Sequence, residues 1–154
     1  MRVNLDRFRL AQQRDYEQAL AELRAGQKRS HWIWYIFPQL AGLGSSPMAQ
    51  TYGLQGMEEA SAYLSDPQLR SRLLAVSNAV RTHVDHEPAA ALRTVMGSEI
   101  DALKLVSSMT LFREIAHRAE DHEMESIADA ILTAAKKQGF AECEFTQRYV
   151  GRAF

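Results

Sequence analysis

One stretch constrains this chain more than any other. From Gly97 to Phe112 it reads GSEIDALKLVSSMTLF. Ile100, Leu103, Leu105, Val106, Met109, Leu111 and Phe112 wind almost completely round a helix, and a helix that is apolar on all sides belongs in an interior. Ser98 and Asp101 give it an S-x-x-D start, and the apolar period carries it from about Glu99 to Arg118. A chain with such a helix must wrap other helices around it. Asp101, Lys104 and Ser108 nevertheless form a narrow polar stripe at i, i+3 and i+7, with Ser107 and Thr110 beside it. An unpaired buried charge costs several kcal/mol (~2–7 for a polar group, more for an ion), so the stripe needs partners. Asp101 and Lys104 are spaced to pair with each other. The stripe reads either as an internal network that fixes helix packing or as the polar floor of a pocket.

The other segments supply the wrapping. Leu5, Phe8, Gln12, Tyr16, Leu20 and Leu23 fall at helical spacing, which predicts a helix from Leu5 to Ala25 that stops at Gly26, with Asn4 or Asp6 as its cap. Short helices are expected at His31–Phe37, where a strand competes, and from Pro47 to Tyr52, Met57 to Leu64 and Ala89 to Met96. Asp66-Pro67 is a cap followed by proline at the first helical position, and Leu69, Leu73, Val76 and Val80 mark the face of the helix it starts. Asp121 to Lys137 carries acids at its start and lysines at its end, as the helix dipole favours. A terminal turn is expected within Glu142–Val150. The sum is a mainly α, compact single-domain fold with little or no sheet, spanning residues 1–154.

Composition narrows the function classes. The net charge is −1, so no global field draws the protein to nucleic acid or an anionic membrane, and neither partner is expected. Residues 1–31 carry seven Lys/Arg against four Asp/Glu, and residues 97–154 carry seven against ten. The basic N-terminal region is either a solvated helix face or a patch for an anionic small molecule. The single cysteine, Cys143, permits no internal disulfide, which fits a cytoplasmic location, and it reads as a structural or incidental thiol. The first residues lack an apolar signal core. His83-x-x-His86 with Glu87 has the spacing of a metal pair, but it precedes Pro88 as a solvated helix end, so no metal is expected. His117 and His122 read as surface residues.

The densest chemistry lies at HWIWYIFPQLAGLGSS, residues 31–46. Trp32, Trp34, Tyr35 and Phe37 put four aromatics into seven residues. They are either a core-crossing element or one wall of a pocket for a planar ring, and buried indole N–H and phenol O–H groups there require partners. Gly42 and Gly44 with Ser45 form either a tight turn or a backbone nest for an anion. Neither a Walker lysine nor a G-x-G-x-x-G follows, so no nucleotide cofactor is expected. If there is a site, it lies where residues 31–46 meet the stripe on residues 101–110. There Trp32, Trp34 and Tyr35 stack a ring, and Lys28, Arg29 and the Gly42, Gly44 and Ser45 amides hold an anion. Gln39, Tyr52, Lys104 and Ser108 complete the binding set, and His31 or Asp101 is the acid/base candidate. The partner is then a small, nucleotide-like anionic aromatic molecule. The competing function is a non-catalytic helical protein-interaction module.

KRSHWIWYIFPQLAGLGSS, YGLQGMEEASAYLSDPQLRSRL and DALKLVSSMTLF closely resemble a small bacterial domain family of unknown function, whose members often carry the label calpastatin. The resemblance spans nearly the whole chain. It implies a compact, mainly helical domain and brings no catalytic mechanism. The label itself names a disordered protease inhibitor, whereas this composition is that of a globular chain. In the aromatic, polar and glycine punctuation of a small helical domain, the chain is also similar, more faintly, to a helical N-glycosidase family acting on ADP-ribosyl or riboflavin-pathway compounds.

Overall fold

Helices dominate because the apolar residues recur at helical spacing and because capping residues stand where each helix begins. The structure is a computed structural model and describes residues 3–153, without the side chains of residues 152 and 153. Met1 and Arg2, the start of the segment read as lacking a signal core, lie outside it. The described residues form nine helices: α1 (Asp6–Arg24), α2 (Ile33–Ile36), α3 (Pro47–Tyr52), α4 (Met57–Ser65), α5 (Pro67–Val84), α6 (Leu92–Val95), α7 (Glu99–Arg118), α8 (His122–Lys137) and α9 (Glu144–Ala153). None is long and apolar enough to cross a membrane. The fold is mainly α.

Side-chain oxygens start five of these helices or support their first turn. Ser46, Asp66, Ser98 and Asp121 accept N–H groups at the starts of α3, α5, α7 and α8, each worth about 1 kcal/mol against alanine. At α1 the cap position is Leu5, which has no side-chain acceptor, and Asn4 Oδ1 takes the Asp6 N–H instead. α2 is a single turn, shorter than the expected His31–Phe37 helix, and it is not a strand. Ser30 does not cap it, because its hydroxyl is donated to Glu22.

α7 runs through the middle as its composition requires. Its residues 105–112 are all buried. α8 folds back along it, α4 and α9 cover other sides, and α5 packs against both α1 and α8. Phe112, buried completely, stands 5.4 Å from the Tyr63 ring, and Tyr63 meets Phe8 edge-on at 5.2 Å. Each such side chain contributes about 1.5–3 kcal/mol on burial. Gln12 threads this aromatic layer: its amide donates to the Tyr35 carbonyl and the Tyr63 hydroxyl, both at 2.8 Å. It therefore belongs to the buried stripe of α1 despite its polarity.

Residues 39–54 form a closed loop. The Ala41 N–H donates to the Leu54 carbonyl and the Leu54 N–H to the Gln39 carbonyl, both at 2.8 Å, a lone parallel bridge pinning the two ends. A Cβ on Gly53 would stand 2.8 Å from Ala41 Cα, so glycine is what lets the two arms touch. Arg7 secures the far arm by donating to the Thr51 and Gly53 carbonyls while it pairs with Glu59.

Candidate functional site

The site is built from the turn after α1. Glu22 lies on the half-buried side of α1 and receives the returning chain. Its carboxylate accepts the N–H groups of Arg29 and Ser30, the Ser30 hydroxyl, the Gln18 amide and the Trp32 indole N–H, the last at 3.0 Å. Burial pushes the carboxyl up, but the donors outweigh it and hold the pKa at about 2. The Trp32 polar group is thereby satisfied, and its ring is buried in the core. Tyr35 is buried as well. Its hydroxyl donates to Asp15, and burial, together with that carboxylate, raises its pKa to about 12. Trp34 alone of the three remains half-buried. A one-turn helix sends the three side chains in different directions, so they do not form one stacking wall.

The polar stripe of α7 also divides. The expected Asp101–Lys104 pair does not form. Asp101 instead pairs with Lys28 at 2.8 Å, and the Lys28 side chain is only 5% exposed. The same ammonium donates to the Ser30 carbonyl and lies 4.8 Å from the centre of the Trp32 ring. Lys28 is therefore a buried tie between the turn and α7, with its charge already neutralised. Lys104 points the other way, with Nζ over the Trp34 ring at 5.1 Å from its centre. Among the described residues, no carboxylate lies within ion-pair distance of it. The Ser108 hydroxyl is buried without a hydrogen-bond partner, as is the Trp34 indole N–H.

A cavity of about 560 Å³ opens between the 39–54 loop and α7. Gln39, Gly44, Ser45 and Ser46 line one side, and Ile100, Leu103, Lys104 and Ser107 line the other. Ala141, Glu142 and Cys143 close the end. Behind it, a cleft of about 10 Å³ is lined by Trp34, Gln39, Gly44, Tyr52 and Gly53. The two spaces share Gln39, Gly44 and Ala49. A groove of similar size, about 550 Å³, lies between α5 and α8. There Arg81 faces Asp85 at 3.7 Å and Glu123 faces Arg70 at 3.2 Å, so its charges serve each other. The loop–α7 cavity is the stronger candidate because a cation and a nearby N–H donor remain unsatisfied beside it.

Of the residues expected at the site, Gln39, Gly44, Ser45 and Lys104 line the cavity, and Trp34 and Tyr52 line the cleft behind it. The others stand elsewhere. Lys28 and Asp101 are spent on each other. Trp32 and Tyr35 are core. Arg29 is exposed and hydrogen-bonds to Gln27. Gly42 is exposed with φ +98°, and a side-chain Cβ there would stand 3.4 Å from Phe145 Cζ. Ser108 is buried in α7. His31 is exposed and outside the cavity wall, and its carbonyl lies 3.4 Å from the Tyr35 hydroxyl oxygen. The cavity thus brings together binding groups without the two residues assigned acid/base roles. Glu142 and Cys143 were not expected there. Glu142 is bonded to Arg113, and the Cys143 sulfur accepts the Thr146 hydroxyl at 3.1 Å. The Ser107 and Thr146 hydroxyls, 3.4 Å apart, join this end wall to α7.

No curated protein matches the chain. It is similar to the conserved hypothetical protein Rv1873 from Mycobacterium tuberculosis, known from a crystal structure. The two are 38% identical over 94% of each chain, with a TM-score of 0.73. Residues 2–139 match a family described as protein of unknown function, DUF1810, so the match ends before the Ala141–Cys143 wall. By that match over most of its length, the chain belongs to the DUF1810 family of proteins of unknown function.

Proposed function

We propose that this protein is a single-domain, cytoplasmic small-molecule binder whose ligand is anionic and ring-bearing and sits between the 39–54 loop and α7. The observation that carries the reading is Lys104, a half-buried cation with no carboxylate partner among the described residues, in the wall of an otherwise largely apolar cavity of about 560 Å³. That size suits an ordinary small ligand. Leu43, Ile100, Leu103 and Val106 provide apolar cover for a ring, and Lys104 provides the opposite charge. A nucleotide-like ligand is one form of such an anionic, ring-bearing molecule. Binding, rather than turnover, is the part that the wall residues support, since His31 and Asp101 lie outside it.

Isothermal titration with a panel of small anionic aromatics tests the proposal, including ADP-ribose and flavin precursors. At least one should bind one-to-one. Leu103→Glu should weaken it at least tenfold, because the side chain is 50% exposed and the change adds a like charge without opening the core. A panel that shows no heat and no thermal shift at millimolar concentration contradicts the reading.

A second reading has one observation in its favour. Ile100 is 67% exposed beside Leu103 on the rim of the cavity, an apolar edge that a protein partner would cover. On this reading, size-exclusion chromatography with light scattering finds a complex, and Ile100→Asp dissolves it. A strict monomer that binds no protein counts against it.

A further inference from the structure

We infer that the ligand is an amphiphilic monocarboxylate, its carboxylate held jointly by Lys104 Nζ and the Trp34 indole N–H and its apolar body lying against Ile100 and Leu103. This rests on the reading of the cavity as a small-molecule site. Charge sets the first limit. The wall holds two charged side chains, Lys104 and Glu142, and Glu142 is already bonded to Arg113. Lys28, beside the start of α7, is neutralised by Asp101. Lys104 is then the cation of the wall without an ion-pair partner among the described residues, and it matches one negative charge on a ligand. A diphosphate would bring more negative charge than the wall can meet.

Donor geometry sets the second limit. The Trp34 indole N–H is sealed from solvent and bonds to nothing, whereas that of Trp32 is met by Glu22 at 3.0 Å. Lys104 lies over the Trp34 ring, 5.1 Å from its centre, so a cation and an unmet N–H donor stand on one side chain. The cleft bordered by Trp34 has room for about one small group, roughly 10 Å³, and it adjoins the larger cavity through Gln39 and Gly44. Lys104 lines the larger cavity and Trp34 the cleft, so a carboxylate at their junction accepts from Lys104 and, once the sealed Trp34 ring turns toward it, from the indole N–H; charge-assisted bonds of this type are the stronger class. A bound water would satisfy the N–H but leave the Lys104 charge unmet. The apolar lining then takes the body of the acid, an aryl group.

Isothermal titration of the full-length protein with 4-phenylbutyrate, decanoate, their primary amides and ADP tests this. The expected result is that 4-phenylbutyrate binds more tightly than decanoate, which lacks a ring, and at least tenfold more tightly than its own amide. Lys104→Met should remove that preference, and Trp34→Phe should reduce it severalfold. The acid-against-amide comparison on the unaltered protein needs no variant to fold. Equal affinity for acid and amide overturns the inference, as does an acid preference that survives Lys104→Met in a variant with a normal thermal melt. Binding of ADP in preference to both acids overturns it too, but leaves the cavity reading standing. Silence from every probe overturns the inference, and the broader anionic panel then decides whether the cavity reading falls with it.

Discussion

Replacing Glu22 with glutamine should destabilise the protein in a pH-dependent way. The carboxylate takes the Arg29 N–H at 2.8 Å, the Ser30 N–H at 3.0 Å, the Ser30 hydroxyl at 2.6 Å and the Trp32 indole at 3.0 Å. Burial opposes ionisation, yet these donors hold the pKa at about 2 instead of 4.5. A depressed carboxylate pKa adds stability that is complete above the unfolded value and is lost as pH falls toward the folded one. The displacement corresponds to at most about 3.4 kcal/mol, and partial exposure of the side chain screens it to about 2 kcal/mol. For a chain of this length that is about 4–8 °C in Tm. Thermal melts followed by circular dichroism, at pH 7 and pH 3, check the reasoning. Glu22→Gln should melt about 4–8 °C below the wild type at pH 7, with less than about half of that gap left at pH 3. An equal gap at both pH values refutes it, because the loss would then come from shape and not from the charge.

Three further outcomes are expected. Lys28→Met leaves Asp101 with no partner in a largely closed space and should cost about 2–4 kcal/mol by urea unfolding; adding Asp101→Leu should recover part of the loss. Gly53→Ala drives a Cβ to 2.8 Å from Ala41 Cα and 2.9 Å from the Ala49 carbonyl oxygen. It should cost about 1–3 kcal/mol and speed hydrogen exchange at the Ala41 and Leu54 amides. Arg113→Ala removes the partner of Glu142, which lies 31% exposed, so global stability should fall by only about 0.2–1 kcal/mol. Exchange protection across residues 141–146 should nevertheless drop, since that bond holds the end wall of the cavity.

The helices were legible because their signals are local. Ser98, Asp66-Pro67 and Asp121 each mark a start, and the all-round apolar pattern places α7 at Glu99–Arg118, as found. The candidate cavity was legible only as a meeting of two segments. Gln39, Gly44, Ser45 and Lys104 do face one another across a cavity. Which charges remain free depends on contacts that no local pattern contains. Asp101 has Lys104 one turn away, yet its partner is Lys28, brought beside it by the turn after α1. Glu22 reads as a solvated acid of an amphipathic helix until that turn folds back over it. The three aromatics Trp32, Trp34 and Tyr35 look equivalent in sequence, but the single turn of α2 buries two and leaves one beside the cavity. Cys143 entered the wall through the short segment between α8 and α9, whose path carries no periodic signal.

Two tryptophans mean two indole N–H resonances, and the account assigns them opposite behaviour. Trp32 donates to Glu22 at 3.0 Å, while the Trp34 N–H is buried and unpartnered. In a nitrogen-15 correlation spectrum, titration with an anionic ligand that fits the cavity, 4-phenylbutyrate first, should move the Trp34 indole peak downfield and leave the Trp32 peak in place. A Trp34 peak that stays fixed at saturating ligand, or a response confined to Trp32, contradicts the account.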